Sequence, residues 1–287
     1  MAQFATMWIR DGVLINRMPL NAVAFAVAYL SFIPAGSPYN AVVEDLINFA
    51  FATSGVSCAE KIQLFNSQVF PAVQDVSSAA SFYNDLASAA ARSSKYFRGA
   101  VDLLADLQAA GGKNYITSAV EQDGLDLWRM TPQGQQVSRL LTEMLGARPR
   151  FVKGRDHFKH VSEAVKGGPI YYVADAVSEL KTASAHAIHY NIVPIGFGFE
   201  IDASQVKSAA ALVAEALPQV KSPAPRQILN MNMDADKLVL PNKQELLASL
   251  KAAGACFIVN GSQQTIYAQL RQVFEGTGIF NNQPTCS

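Results

Sequence analysis

Apolar positions along this chain fall into two alternating rhythms. Short runs, Met7-Trp8-Ile9, Asn114-Tyr115-Ile116, Ile170-Tyr171-Tyr172-Val173 and Ile192-Val193-Pro194-Ile195, read as strands. The first three end in an acidic or hydroxyl residue: Asp11, Thr117 and Asp175. Longer stretches space their apolar residues as helices do. These cover 19–31, 39–53, 77–93, 101–107, 122–128, 136–145, 203–217, 243–252 and 263–274. Ser57 with Glu60 has capping-box spacing ahead of Ile62, Leu64 and Phe65. Breaks are expected at Pro34, Gly36, Ser37 and Pro38, at Gly55, at Gly111-Gly112 and in the Ser-Pro-Ala-Pro stretch 222–225. A last strand is expected through 256–259, and 281–287 reads as a frayed end.

The distribution of the two rhythms is uneven. No strand pattern occurs between Asn16 and Lys95, so an all-helical segment follows the first strand directly. Beyond it, strands alternate with helices, the mark of an α/β core with a parallel sheet. A strand running into Asp11-Gly12 and then a helix makes the first half of a βαβ unit. Carboxylates at strand C-termini sit where such sheets place ligands.

Composition narrows the function classes. The chain has 287 residues and is 50% apolar, enough for a large core. Its formal net charge of zero argues against a general nucleic-acid or acidic-membrane binder. The local basic run is Arg148, Arg150, Lys153 and Arg155. The cysteines, Cys58, Cys256 and Cys286, are widely spaced, so reduced thiols in a cytoplasmic protein are expected. No secretory signal and no bilayer-spanning stretch is expected. His157, His160, His186 and His189 form no metal-ligand pattern and read as ordinary polar residues.

In order, the strand-end residues resemble the four motifs of the haloacid dehalogenase (HAD) superfamily, in its phosphoglycolate phosphatase and beta-phosphoglucomutase-like branch. Ile9-Arg10-Asp11-Gly12-Val13-Leu14 is similar to the first motif, a strand followed by Asp-x-Asp-Gly-Val-Leu. Thr117, with Ser118 beside it, matches the second, Lys153 the third, and Asp175 with Glu179 the fourth. Gly154 stands where the third motif often has proline, and Ala174 where the fourth has glycine. Lys159 is the fallback for Lys153.

The resemblance implies a Rossmann-like parallel sheet core with an all-helical cap inserted after the first strand. Core would be 1–17 and 97–287, with an insertion at about 200–240, and cap 18–96. It implies Asp11 as general acid/base, with Lys153 as a catalytic cation. Phosphate would be bound by Gly12, Thr117, Ser118 and Lys153. Mg²⁺ would be held by Asp11, Asp175 and Glu179.

The family's nucleophilic aspartate falls on Ile9, whose side chain cannot form an acyl phosphate or bind Mg²⁺. Three functions follow from the resemblance. One is a protein impaired in phosphoryl transfer that binds a phosphorylated small molecule. Another is an Mg²⁺-dependent phosphomonoester hydrolase working through Asp11. The third is a structural or regulatory interaction protein. The sequence leaves ligand and oligomeric state open.

Overall fold

The computed structural model describes residues 4–34, 43–53, 56–68, 73–221, 234, 237–240 and 242–282. The breaks expected at 36–38, 55 and 222–225, Cys286 and most of the expected frayed end lie outside these residues. The chain divides into two compact units. One comprises Met1–Asn16, Lys95–Glu200 and Asn242–Ser287; the other comprises Arg17–Ser94 and Ile201–Pro241.

The first unit is built on a six-stranded sheet, ordered β3-β2-β1-β4-β5-β6. Its strands are β1 (Ala5–Ile9), β2 (Lys113–Glu121), β3 (Glu143–Ala147), β4 (Ile170–Ala174), β5 (Ile192–Phe199) and β6 (Phe257–Gly261). Every pairing is parallel. The chain lays down β1, β2 and β3 toward one edge, then returns to the other side of β1 with β4. That reversal between β1 and β4 is the switch point at which such sheets bind ligands, beyond the strand C-termini. All five residues of β1 and of β4 are buried, as central parallel strands covered on both faces must be.

Register is fixed on both sides of β1. Ile9 pairs with Thr117 of β2, and Trp8 with Val173 of β4. Trp8 is fully buried, with Tyr267 stacked on it at 6.4 Å between ring centroids. The β2–β3 register shifts between Thr117 and Glu121. Ser118 therefore lies where regular pairing stops.

One expected element is corrected. Residues 136–145 were expected as helix. The structure instead ends a short helix at Ser138 and makes Glu143–Ala147 a strand. Glu, Met, Leu and Ala are good helix formers, and pairing with β2 overrides that preference.

The second unit is helical. Its central helix, α1 (Met18–Ser31), is buried from Pro19 to Tyr29 apart from Asn21. A helix apolar all round must be surrounded. Its neighbours are α2 (Val43–Ala52), α4 (Val76–Ala90) and α10 (Ala203–Ala216), with α3 (Cys58–Gln68) against α4. The segment 200–240, set apart in the sequence as an insertion, thus supplies α10 to this unit. Val206, Ala209, Val213 and Ala216 join the same apolar cluster as Phe25 and Leu46. Two helix starts carry reciprocal caps, Ser57 with Glu60 and Asp202 with Gln205.

No helix among the described residues is long and apolar enough to cross a membrane. Cys58 and Cys256 are free.

Candidate functional site

The site begins where β1 ends. Ile9 is 7% exposed and closes the strand. Behind it the backbone folds into a tight turn in which the Gly12 amide donates to the Ile15 carbonyl at 2.8 Å. Gly12 has φ 99°, a conformation open to glycine and strained for other residues. It is required for a second reason. A Cβ at position 12 would stand 2.0 Å from Oδ2 of Asp175. The turn after β1 and the acid after β4 therefore meet with no room for a side chain between them.

Arg10 fills the other side of the turn. Its guanidinium donates to both carboxylate oxygens of Asp11, from Nε at 3.0 Å and from Nη2 at 2.8 Å. Arg10 is buried, and its guanidinium carbon lies 5.3 Å from the ring centroid of Trp128. Trp128 sits on α6 (Gln122–Arg129), the helix that leaves β2. Burial opposes the charge on Arg10, while Asp11 favours it strongly enough to raise the pKa above its ordinary value.

A second ion pair lies beside the first. Lys153 bonds Oε1 of Glu179, and the Tyr172 hydroxyl donates to Oε2 at 2.7 Å. Lys153 is delivered by the turn after β3, where Gly154 with φ 100° leads into α8 (Arg155–Ala164). Glu179 stands on the first turn of α9 (Val177–Tyr190), where a helix N-terminus favours an acid. Between the two pairs is Asp175. Burial, then the nearby charge of Glu179, pushes its carboxyl up to about 7.

Thr117 and Ser118 complete the strand ends. Thr117 Oγ1 is hydrogen-bonded to Nδ1 of His157 at 2.7 Å, and both residues are buried. Ser118 Oγ accepts from the Val120 amide at 3.2 Å. The His157 ring packs on Phe151 at 4.9 Å between centroids. Burial drives its imidazole down to about 4, so it is neutral over the physiological range.

The sequence candidates therefore gather in part. Asp11, Gly12 and Asp175 meet around the first turn, and Lys153 and Glu179 form one pair. Thr117 stands beside Ile9 in the register and is turned to His157. Lys159 is exposed on α8.

Three residues were missed by sequence reasoning. Arg10 reads as a strand-end variation. His157 reads as an ordinary polar residue, and the structure corrects this: it is 0% exposed and tied to Thr117. Tyr172 reads as a strand aromatic. Only the apolar company of Arg10 in the sequence hinted at burial.

The arrangement does not fit Mg²⁺. Among the described residues no group of three or more His, Cys, Asp or Glu side chains could hold a metal. The chemistry of the donors agrees. Asp11 is clasped by Arg10 and Glu179 by Lys153. A hard cation needs charged oxygens turned toward it.

No protein-family model matches the sequence. No curated protein matches it either. Solved structures do. A HAD family hydrolase from Deinococcus radiodurans R1, with bound phosphate and sodium, has a TM-score of 0.56 at 18% identity, covering 97% of this chain and 98% of that one. A predicted phosphoglycolate phosphatase from Haemophilus somnus 129pt has a TM-score of 0.53 at 12% identity, covering 96% and 98%. A hydrolase from Pseudomonas syringae has a TM-score of 0.52 at 14% identity, covering 94% and 99%. At such identities the likeness is one of architecture, and it runs the length of the chain. With its parallel sheet and its helical second unit, this chain has the fold of the HAD-family hydrolases.

Proposed function

We propose that this HAD-fold protein is impaired in phosphoryl transfer and acts by binding a phosphorylated small molecule. The observation that carries this reading is Ile9, which ends β1 directly beside Thr117 in the sheet register. In the resembled motif the strand-end residue two before Asp11 supplies the attacking carboxylate. An isoleucine there has no lone pair to offer phosphorus. Loss of a nucleophile lowers turnover by roughly four to six orders of magnitude.

What remains suits binding better than chemistry. Arg10 and Lys153 bring positive charge to the strand ends, and Ser118 brings a hydroxyl. Asp11, the candidate general acid/base, is held by the buried guanidinium of Arg10. A phosphate dianion would share the two cations with their carboxylates.

The test is hydrolysis of p-nitrophenyl phosphate in the presence of Mg²⁺. The wild type is expected to give no turnover above the blank, and Asp11→Asn to change nothing. Ile9→Asp, which restores a carboxylate at the strand end, is the variant in which slow turnover is expected. Robust wild-type turnover that vanishes in Asp11→Asn overturns the reading in favour of an active hydrolase. For the binding half, calorimetric titration with inorganic phosphate should show uptake that weakens in Lys153→Ala. No uptake at all would favour a purely structural role.

A further inference from the structure

We infer that Arg10 is a built-in counter-ion that takes the place of a metal at this site, so that the protein is independent of divalent cations. The inference rests on the silent reading above and goes beyond it, because it concerns what holds the strand ends together.

Three acids, Asp11, Asp175 and Glu179, converge at the ends of β1 and β4 and the start of α9. The Asp175 carboxylate lies against the Gly12 backbone. Such a cluster is unstable unless cations or protons offset it. The structure gives two of these acids a cation each. Glu179 has Lys153, and Asp11 has the fork of Arg10.

The Arg10 contact is shaped for the task. Two donors meet two oxygens, a bidentate geometry that a point charge cannot match. The guanidinium is buried and lies over Trp128. It has been taken out of water to sit beside Asp11. An exposed arginine that paired by chance would leave its head in solvent. Ile9 and Arg10 therefore belong together. One removes an anion from the strand end, and the other provides the positive charge that the remaining acids require.

The experiment follows thermal melting of the full chain with millimolar Mg²⁺ and with chelator. The wild type should melt at one temperature under both conditions and take up no Mg²⁺ by calorimetry. Arg10→Met keeps the bulk and loses the charge. Its melting point should fall by about 5 °C, a loss typical of a partly buried pair broken on one side.

Mg²⁺ should return part of that loss. The return should disappear in Arg10→Met/Asp11→Asn, where the anion is gone as well. Arg10→Lys, a point cation, should melt between the wild type and Arg10→Met and remain indifferent to Mg²⁺. It serves equally if Arg10→Met fails to fold.

A wild type stabilised by Mg²⁺, or an Arg10→Met variant that melts like the wild type, would sink the inference. So would an Arg10→Met variant that Mg²⁺ leaves unchanged, because the guanidinium would then not stand in a metal's place. Phosphatase turnover in the hydrolysis assay would end the silent reading by a different readout, which keeps the two failures separate.

Discussion

The two ends of β1 handle buried polar groups in opposite ways. Near its start, Thr6 donates to Asn114 Oδ1 at 2.7 Å and accepts from Trp8 Nε1 at 2.7 Å. Asn114 then donates to the carbonyls of Leu104 and Leu140 at 2.8 and 2.9 Å. Every member is neutral, and the network closes on itself. At its finish the strand meets two ion pairs, the perturbed carboxyl of Asp175 and the buried imidazole of His157. A neutral, satisfied network fixes one arrangement of strands. Perturbed acids belong to functional ends, and Asp175 stands at this one.

The contrast can be broken most forcefully at Asn114. Asn114→Leu preserves the volume and removes three hydrogen bonds at once. It should lower unfolding free energy by about 3 kcal/mol, read by denaturant titration. A loss as small as that of a surface substitution would mean that the network is dispensable.

Thr117→Val is the matching change at the other end. It leaves Nδ1 of His157 buried without its partner, at a cost of about 1–2 kcal/mol. A stabilised variant would show that the Thr117–His157 pair is held against its own energetics.

The smallest effect is expected in the wild-type pH profile, because two groups oppose each other. His157 falls from 6.5 to about 4 on folding, so the native state holds fewer protons in that window. Its contribution is present above 6.5 and is lost as pH falls toward 4. Asp175 rises from 3.8 to about 7, so the native state holds more protons. Its contribution is present below 3.8 and is lost as pH climbs toward 7. Asp175→Asn should unmask stability that rises with pH between 4 and 6.5, and His157→Gln stability that falls. Equal slopes in the two variants would refute the opposition.

Much of this architecture is visible in the sequence because strand and helix signals there agree. The runs at 7–9, 114–116 and 170–173 are apolar, carry β-branched or aromatic residues, and end at polar residues. The helix at 19–31 is apolar all round, and the structure buries it accordingly. Glu143–Ala147 was hidden because it has no β-branched residue and only its neighbour makes it a strand.

The candidate site was legible at Asp11, Gly12, Lys153, Asp175 and Glu179, whose places depend on local strand and helix ends. It was hidden at His157, since its bond to Thr117 joins residues 40 positions apart. Arg10 was hidden for a different reason. Adjacent residues rarely pair, and only a tight turn lets a guanidinium fold back on the next carboxylate.

The central place of β1 also bears on how the chain comes off the ribosome. It is made before both of its neighbours, β2 and β4, whose residues begin at Lys113 and Ile170. Until both emerge, the strand has no partner on either side, and the ring of Trp8 has nothing to be buried against. Assembly of the sheet must therefore wait until β4 has been made, and pairings of such long reach slow folding. During that interval Phe4 to Ile9 is an unshielded, largely apolar segment.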